Sequence, residues 1–361
     1  MKKPPSMLYL RETPLQSAFI FYLFVIGLVC IPVNFLGAIF TPDETLQSLI
    51  GIAVSRAVFF VIMLICLRHL GFSRLLRPNG VSLGRCFLLS LPALAVAVNN
   101  APLIELITGQ ASISPTPAAV ILFALQCLFV GAFEETAFRG VIFPLVLEKT
   151  GTEGLGKWKG VIFSAALFGL VHLVNLLGGG GIGSVAMQIG YSFLLGALLA
   201  ILLYAGVPLW FAVAVHALYN FCGMSFDTLS GAGIQWSAAR IALTAVLAVL
   251  AGIYALILLH RSGPGPADAL LGDYAVPKRK PAPQEGDLPA EGQPPAETED
   301  GAEGEPPAET ENAPSEGEAP TDGAKDESAM EAGSAPKKDP GSEPPADVPS
   351  PGQDPPEEEA R

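Results

Sequence analysis

Long apolar runs dominate the chain between residues 17 and 259. A hydrocarbon core about 30 Å thick needs roughly 20 apolar residues per α-helix, and most of the runs have about that length. The runs are continuous rather than alternating, which favours helices over strands. The sequence therefore predicts an all-α fold, a polytopic membrane bundle of about eight transmembrane helices. The predicted spans are 17–40, 49–70, 86–107, 116–147, 159–177, 184–204, 207–223 and 237–259.

The charge divides the chain into two parts near residue 261. Residues 1–261 contain 9 acidic and 14 basic residues, a net charge of +5, whereas residues 262–361 contain 25 acidic and 7 basic residues, a net charge of −18. The second part is rich in Pro, Glu, Ala and Gly and has too little apolar surface to offset the entropy of ordering. We therefore expect an integral membrane domain over 1–261 and a disordered acidic tail over 262–361. Because no basic stripe carries interleaved aromatic residues, nucleic-acid binding is excluded.

Lysine and arginine collect in alternate connections of the predicted bundle. They precede the first span and follow the second, fourth and eighth spans, whereas the loops 41–48, 108–115, 178–183 and 224–236 contain none. Because an excess of Lys and Arg marks cytoplasmic loops, both termini are predicted to be cytoplasmic, and in a bacterium the membrane would be the cell membrane. The first span is too long for a cleaved signal peptide and is expected to remain in the protein.

Ionisable residues at membrane depth are costly, so each is a candidate for function. Of the nine carboxylates in residues 1–261, only Glu134 and Glu135 lie deep within an apolar segment, and they are adjacent. Their run, 116–147, is too long for one straight span and is expected to continue or bend past this polar centre. Of the four histidines, His172 and His216 lie well inside predicted spans. These four side chains are the candidates for acid–base or metal chemistry.

Helical spacing gives the two glutamates different neighbours. Glu135 and Arg139 are four residues apart, so they share a face and can pair. Glu134 is rotated from Glu135 by roughly 100° around the helix and can point elsewhere, into a cavity. Taken alone, the Glu135–Arg139 pair is more typical of a structural ion pair within the membrane than of a catalytic site.

The two histidines each belong to a similar four-residue spacing. Phe168 precedes His172 by four residues, so the ring can pack over the imidazole, and His216 precedes Asn220 by four, so their polar ends can converge. A single histidine on a membrane helix also serves as a helix–helix hydrogen bond. The occurrence of all three patterns together, on three helices, favours a functional site.

The three motifs EETAFR (134–139), FGLVH (168–172) and HALYN (216–220) occur in this order. They resemble the EExxxR, FxxxH and HxxxN pattern of the CAAX-processing and bacteriocin-processing (CPBP, or Abi) intramembrane proteases, over roughly residues 115–225. That family includes the prenylprotein endopeptidase that removes the last three residues of a CAAX protein. The resemblance implies an endopeptidase that cuts a peptide bond near the membrane surface. Its substrate would be a membrane-anchored or prenylated peptide or protein within the lipid bilayer.

The resemblance also implies a role for each motif residue. Glu134 would be the general base that activates water, and His172 would help to hold that water. His216 and Asn220 would stabilise the oxyanion formed when the peptide carbonyl is attacked. Peptide hydrolysis needs such a base and such donors, and a low-dielectric site raises the proton affinity of a carboxylate. The supporting residues would be Glu135, Arg139 and Phe168.

A metal and two other functions remain open from the sequence. Glu134, His172 and His216 could bind Zn²⁺ with an open position, but the HExxH signature is absent, and a mechanism without a cofactor is favoured. The main alternative is a non-catalytic binding or bacteriocin-immunity protein on the same fold. A transporter with a carboxylate proton relay is disfavoured because the hydropathy pattern shows no inverted repeat.

Overall fold

The computed structural model describes residues 7–109, 114–230 and 236–272, and all regular secondary structure in these ranges is helical. Six of the helices are long and apolar enough to cross a membrane. The predicted all-α membrane bundle is therefore confirmed, and the chain is an integral membrane protein. The acidic tail predicted to be disordered lies, from residue 273 onwards, outside the described residues.

The helices follow one another with short connections. In chain order they are α1 Pro14–Val29, α2 Asn34–Ala38, α3 Glu44–His69, α4 Leu83–Asn99, α5 Leu103–Ile107, α6 Pro117–Glu135, α7 Phe143–Thr150, α8 Gly154–Leu170, α9 Ile182–Tyr204, α10 Leu209–Ser230, α11 Ala238–Arg261 and α12 Gly265–Leu271. Short 3₁₀ helices cover Leu8–Glu12, Ser73–Leu76 and Val171–Leu176, and a π-helix, Thr136–Ile142, joins α6 to α7.

Two predicted spans, 17–40 and 86–107, end earlier than expected. Helix α1 has 16 residues and ends at Val29, and helix α4 has 17 residues and ends at Asn99. Pro32 and Pro102 lie in the gaps that follow, and proline both lacks an N–H donor and disfavours helical geometry in the residue before it. These two apolar helices are shorter than the six long spans, so the count of about eight transmembrane helices stays a prediction.

The π-helix that follows Glu135 lies at the centre of the bundle. Helix α6 packs between α3 and α10, and the π-helix contacts α1, α3, α8, α9 and α10. All seven of its residues are buried. The long run 116–147 thus continues past its polar centre through a widened turn, and the two glutamates lie where most of the helices meet. Single turns of π-helix are frequent at functional sites.

A glycine allows α6 and α10 to approach closely near the two glutamates. A Cβ atom at Gly131 would lie 3.1 Å from the backbone nitrogen of Ala217 and 3.2 Å from the carbonyl oxygen of Val213. Small residues at such contacts let membrane helices pack backbone against backbone. The close approach lets the side chain of His216, next to Ala217 on α10, reach the end of α6.

Helix α12 lies beyond residue 261, where the sequence predicts the folded part to end. Ala267 and Leu270 of this helix are buried, and Nη2 of Arg11 donates a 2.6 Å hydrogen bond to the carbonyl oxygen of Leu271. The packed part of the chain therefore extends at least to Gly272. The division into a membrane domain and a disordered tail stays a prediction for residues 273–361.

Arg11 joins four parts of the chain at one end of the bundle. Its side chain is buried, and it forms an ion pair with Glu148 of α7. Nη1 donates a 3.2 Å hydrogen bond to the carbonyl oxygen of Leu70, just after α3, and the guanidinium lies 4.7 Å from the ring centroid of Phe72. The N-terminal 3₁₀ helix is thereby attached to α3, α7 and α12.

We predict that Gly131→Val destabilises the bundle by about 1–3 kcal/mol, because the branched side chain would overpack the contact between α6 and α10. Thermal unfolding in detergent measures the effect. Gly190→Val is the matched control, since it lies in helix α9 and a Cβ atom there meets no atom within 4 Å. If both variants lose the same stability, the close contact between α6 and α10 does not require a small residue at position 131.

Candidate active site

The adjacent glutamates at the end of α6 lie in different environments. The side chain of Glu135 is fully buried, whereas that of Glu134 is 17% exposed. This difference follows from the helical rotation between neighbouring residues, as the sequence predicts. Glu134 forms no hydrogen bond with the described part of the chain.

Glu135 connects an arginine and a histidine through a single oxygen. Nη1 of Arg139 donates a 2.9 Å hydrogen bond to Oε1 of Glu135, which confirms the predicted pair. Nδ1 of His216 lies 2.7 Å from the same oxygen. All three side chains are buried, so the carboxylate is compensated by an arginine charge and by an imidazole N–H. The spacing of the motifs did not predict the contact between Glu135 and His216.

This contact decides the orientation of the His216 imidazole. A carboxylate only accepts hydrogen bonds, so the proton lies on Nδ1 of His216. The second nitrogen, Nε2, is directed towards Glu134 and lies 3.8 Å from its Oε2. Glu135 therefore presents Nε2 of His216 beside the more accessible carboxylate of Glu134.

His172 is oriented by backbone carbonyl groups rather than by a carboxylate. Its Nδ1 lies 3.1 Å from the carbonyl oxygen of Phe168 and 3.3 Å from that of Gly169. Since both groups are acceptors, Nδ1 carries the proton and Nε2 is left as an acceptor. The chain changes from α-helix to 3₁₀ helix at Val171, and the half-buried His172 follows directly.

Phe168 contacts residues of all three motifs. Its ring centroid lies 5.6 Å from that of His172 and 5.7 Å from that of His216, with interplanar angles of 89° and 86°. The guanidinium of Arg139 lies 4.0 Å from the centroid of the same ring. The predicted contact with His172 is confirmed, in an edge-to-face arrangement. The contacts with His216 and Arg139 were not predicted, because they join different helices.

Helix α9 contributes to the site through a residue without a side chain. A Cβ atom at Gly196 would lie 2.7 Å from Nη2 of Arg139 and 2.9 Å from Cδ1 of Phe168. Glycine therefore leaves the space in which the guanidinium stacks on the ring. No motif marks Gly196 in the sequence, since α9 lies outside the three motifs.

Asn220 lies one helical turn after His216, as predicted, but without a hydrogen bond to it. The half-buried amide of Asn220 has no hydrogen-bond partner within the described ranges. The neighbouring carbonyl group of Tyr219 accepts a 3.0 Å hydrogen bond from Nδ2 of Asn100, whose own carbonyl oxygen accepts one of 2.6 Å from Arg240. This polar chain holds the part of α10 that carries Asn220.

Arg56 of helix α3 is a further cation of the site. It interacts electrostatically with Glu134, and its guanidinium carbon lies 5.5 Å and 5.7 Å from the ring centroids of Phe59 and Phe133. Its buried Nη1 has no hydrogen-bond partner among the residues described. The only signal in the sequence is an arginine in the middle of an apolar span, with no motif to assign it a role.

Glu134, His172 and His216 are the possible zinc ligands that the sequence offers. Within residues 7–109, 114–230 and 236–272, no group of three or more His, Cys, Asp or Glu side chains is placed to hold a metal ion. The rings of His172 and His216 both pack against Phe168, and Glu134 lies 3.8 Å from Nε2 of His216. The zinc hypothesis from the sequence therefore stays a prediction, and no catalytic step is assigned to zinc.

Residues 116–222 match the family model described as type II CAAX prenyl endopeptidase Rce1-like. The match begins at the start of α6 and includes all three motifs, so the resemblance to CPBP-family proteases is confirmed over this segment. It supports a hydrolase of the protease class. No curated protein and no solved structure matches the chain.

We predict that Arg139→Met costs about 3–5 kcal/mol of stability, because it leaves Glu135 buried without its cation. Glu135→Gln in the same chain should recover part of that loss, since the buried charge is then removed. Thermal unfolding of both single variants and the double variant measures the coupling between the two residues. Arg68→Met, at the exposed end of α3, is the control for loss of one arginine. Strictly additive effects would contradict an energetically coupled pair.

Proposed function

We propose that this chain, whose segment 116–222 is of the Rce1-like CAAX endopeptidase type, is an intramembrane endopeptidase that uses Glu134 to activate water. The observation that carries the proposal is the asymmetry of the two glutamates. Glu135 is occupied by Arg139 and His216, whereas the carboxylate of Glu134 is partly exposed and lies 3.8 Å from Nε2 of His216. One carboxylate is left for chemistry and the other holds the site together.

In the proposed reaction Glu134 acts first as a general base. Its carboxylate takes a proton from water, and the hydroxide oxygen bonds to the carbonyl carbon of the scissile peptide. The C–N bond then breaks, and the proton held by Glu134 passes to the leaving amine. The products are a carboxylic acid and an amine, between which one proton can then pass, so the reaction consumes one water molecule and needs no other reactant.

His216 and Asn220 are proposed to stabilise the oxyanion of the tetrahedral intermediate. Nε2 of His216 would donate to the oxyanion once it carries a proton, while Nδ1 donates to Glu135 and Arg139 balances the charge of Glu135. The amide of Asn220, one turn further along α10, supplies a second donor. Donors that are already oriented towards the developing charge lower the barrier because they need not reorganise during the reaction.

His172 is proposed to orient the attacking water. Its Nδ1 proton is held by the carbonyl groups of Phe168 and Gly169, so Nε2 can accept the second hydrogen of the water molecule. Phe168 would keep both imidazoles in place through its edge contacts with their rings. The role is supported by geometry that restricts His172 to one tautomer.

The proposed substrate is a membrane-anchored peptide or protein, with a prenylated CAAX protein as the first candidate. The family description names CAAX prenyl endopeptidases, and the site is built on helices long and apolar enough to cross the bilayer. A substrate with a lipid anchor would reach such a site from within the membrane plane, where its anchor stays in hydrocarbon.

Glu134→Gln is expected to lower cleavage of a prenylated CAAX peptide by about 10²–10⁴-fold, which is the usual contribution of a general base. The assay uses purified full-length protein in detergent and a peptide with a fluorescent reporter of cleavage. Glu153→Gln removes an exposed carboxylate at the start of α8 and should retain wild-type activity.

Three results of this assay would contradict the proposal. Persistent cleavage by Glu134→Gln would remove Glu134 from the catalytic role. No cleavage by wild type of prenylated or other membrane-anchored peptides would favour the binding or immunity alternative. Loss of cleavage with a strong chelator, restored by Zn²⁺, would overturn the mechanism without metal, which predicts activity in the presence of the chelator.

The distribution of Lys and Arg leads us to propose that both termini are cytoplasmic. We expect Ser73→Cys to be labelled by an impermeant maleimide only after lysis and Gly181→Cys to be labelled in intact cells. Both positions are exposed, and both variants would be made in a background with the five native cysteines replaced by alanine. The reverse labelling pattern would invert the proposed topology.

A further inference from the structure

A cavity of about 470 Å³ lies at one end of the bundle, away from the two glutamates. This open cavity is lined by the connection before α4, the end of α9, the last turns of α11 and the start of α12 with the connection to it. Guanidinium groups form one part of its wall, and apolar side chains form another. The residues used below are Arg85, Arg261, Ser262, Tyr254, Ile257 and Leu258.

Two arginines and no carboxylate line this cavity. Arg85 lies in the first turn of α4, and Arg261 is the last residue of α11. Both residues are exposed. Neither guanidinium forms a hydrogen bond or an ion pair within the described ranges. An arginine pair without acidic partners favours an anion, and the forked guanidinium geometry fits phosphate as well as carboxylate.

The backbone around the cavity also favours an anion. The N-terminus of α4 lies beside Arg85 and adds the positive end of a helix dipole. The carbonyl end of α11 would oppose an anion, but Nζ of Lys157 lies 2.9 Å from the carbonyl oxygen of Ser262 and 3.4 Å from that of His260. The ammonium group of Lys157 compensates these carbonyl groups and brings a third positive charge near the cavity.

The apolar wall continues onto the most exposed hydrophobic helix of the bundle. Ile257 is 53% exposed, and Val249, Leu250, Ile253 and Leu256 on the same helix are each at least half exposed. In an integral membrane protein this surface faces hydrocarbon. A ligand of the cavity would therefore place an anionic group between the arginines and a hydrocarbon chain along α11.

We propose that this cavity binds the phosphate headgroup of an anionic phospholipid. Basic pockets at the ends of transmembrane helices bind such headgroups on the side where Lys and Arg collect. Tyr254 strengthens the apolar wall, because its hydroxyl donates a 2.7 Å hydrogen bond to the carbonyl oxygen of Leu89 and joins α11 to α4. The site is separate from the proposed catalytic residues and does not depend on the proposed protease function.

The test compares lipid adducts of the full-length chain by native mass spectrometry in a neutral detergent. Phosphatidylglycerol and phosphatidylcholine with identical acyl chains are titrated, together with soluble glycerol phosphate. We expect retention of phosphatidylglycerol to exceed that of phosphatidylcholine by about tenfold, the effect of one to two arginines at an anionic lipid. Glycerol phosphate should form no adduct, which distinguishes a lipid from a free phosphate ligand.

The matched variants distinguish lipid binding in the cavity from a general attraction of anionic lipid to positive charge. Arg85→Gln with Arg261→Gln should lower phosphatidylglycerol retention to the phosphatidylcholine level, and the corresponding double lysine variant should restore part of it. Arg68→Gln with Arg77→Gln removes two exposed arginines outside the cavity and should leave retention unchanged. Unchanged elution on size exclusion shows that each variant is folded.

Four results would overturn the proposal. They are wild-type retention by the cavity variant, an equal loss in the control variant, equal retention of the two lipids, and a glycerol phosphate adduct as stable as that of phosphatidylglycerol. A lack of any lipid adduct would overturn it as well and would leave the acidic segment of residues 273–361 as the competing occupant. A carbodiimide cross-link between Arg261→Lys and a carboxylate of that segment would identify it.

Discussion

The buried interaction among Arg139, Glu135 and His216 is the constraint on which the rest of this molecule depends. A carboxylate without access to water is tolerated only when charge and hydrogen bonds compensate it, and here one oxygen of Glu135 accepts from both partners. The contact joins the end of α6, the π-helix and α10. It also assigns the proton of His216 to Nδ1, so the position of Nε2 follows from the same interaction that stabilises the bundle.

The two glutamates show how one helical step produces two chemical roles. Glu135 is buried and bound by its partners, whereas Glu134 is partly exposed and lies beside His216 and near Arg56. Phe168 helps to maintain these two environments, because its ring contacts both imidazoles and supports the guanidinium of Arg139. Gly196 on α9 leaves room for that stack. The proposed chemistry thus rests on aromatic packing as much as on polar contacts.

At the end of the bundle where basic residues collect, arginines fulfil two different roles. Arg11 is buried and fully engaged, and it attaches the N-terminal helix to α3, α7 and α12. Arg85 and Arg261 are exposed and unengaged, and they face a cavity without carboxylates. Arginines around α12 therefore serve different purposes, and burial with hydrogen-bond partners distinguishes the structural one from the pair available to an anionic lipid.

The sequence by itself determined the all-α membrane class, the two adjacent glutamates, the Glu135–Arg139 pair and the three motifs of the protease resemblance. The length of an apolar run and the helical repeat are local properties, so they can be recognised from the sequence alone. The tertiary structure alone decided that Glu135 binds His216, that Phe168 joins all three motifs, and that Arg56 and Gly196 belong to the site. Those contacts join residues far apart in the chain, and they depend on how closely the helices approach and in which rotation. The same reason applies to α12, whose few apolar residues become core only when packed against the bundle.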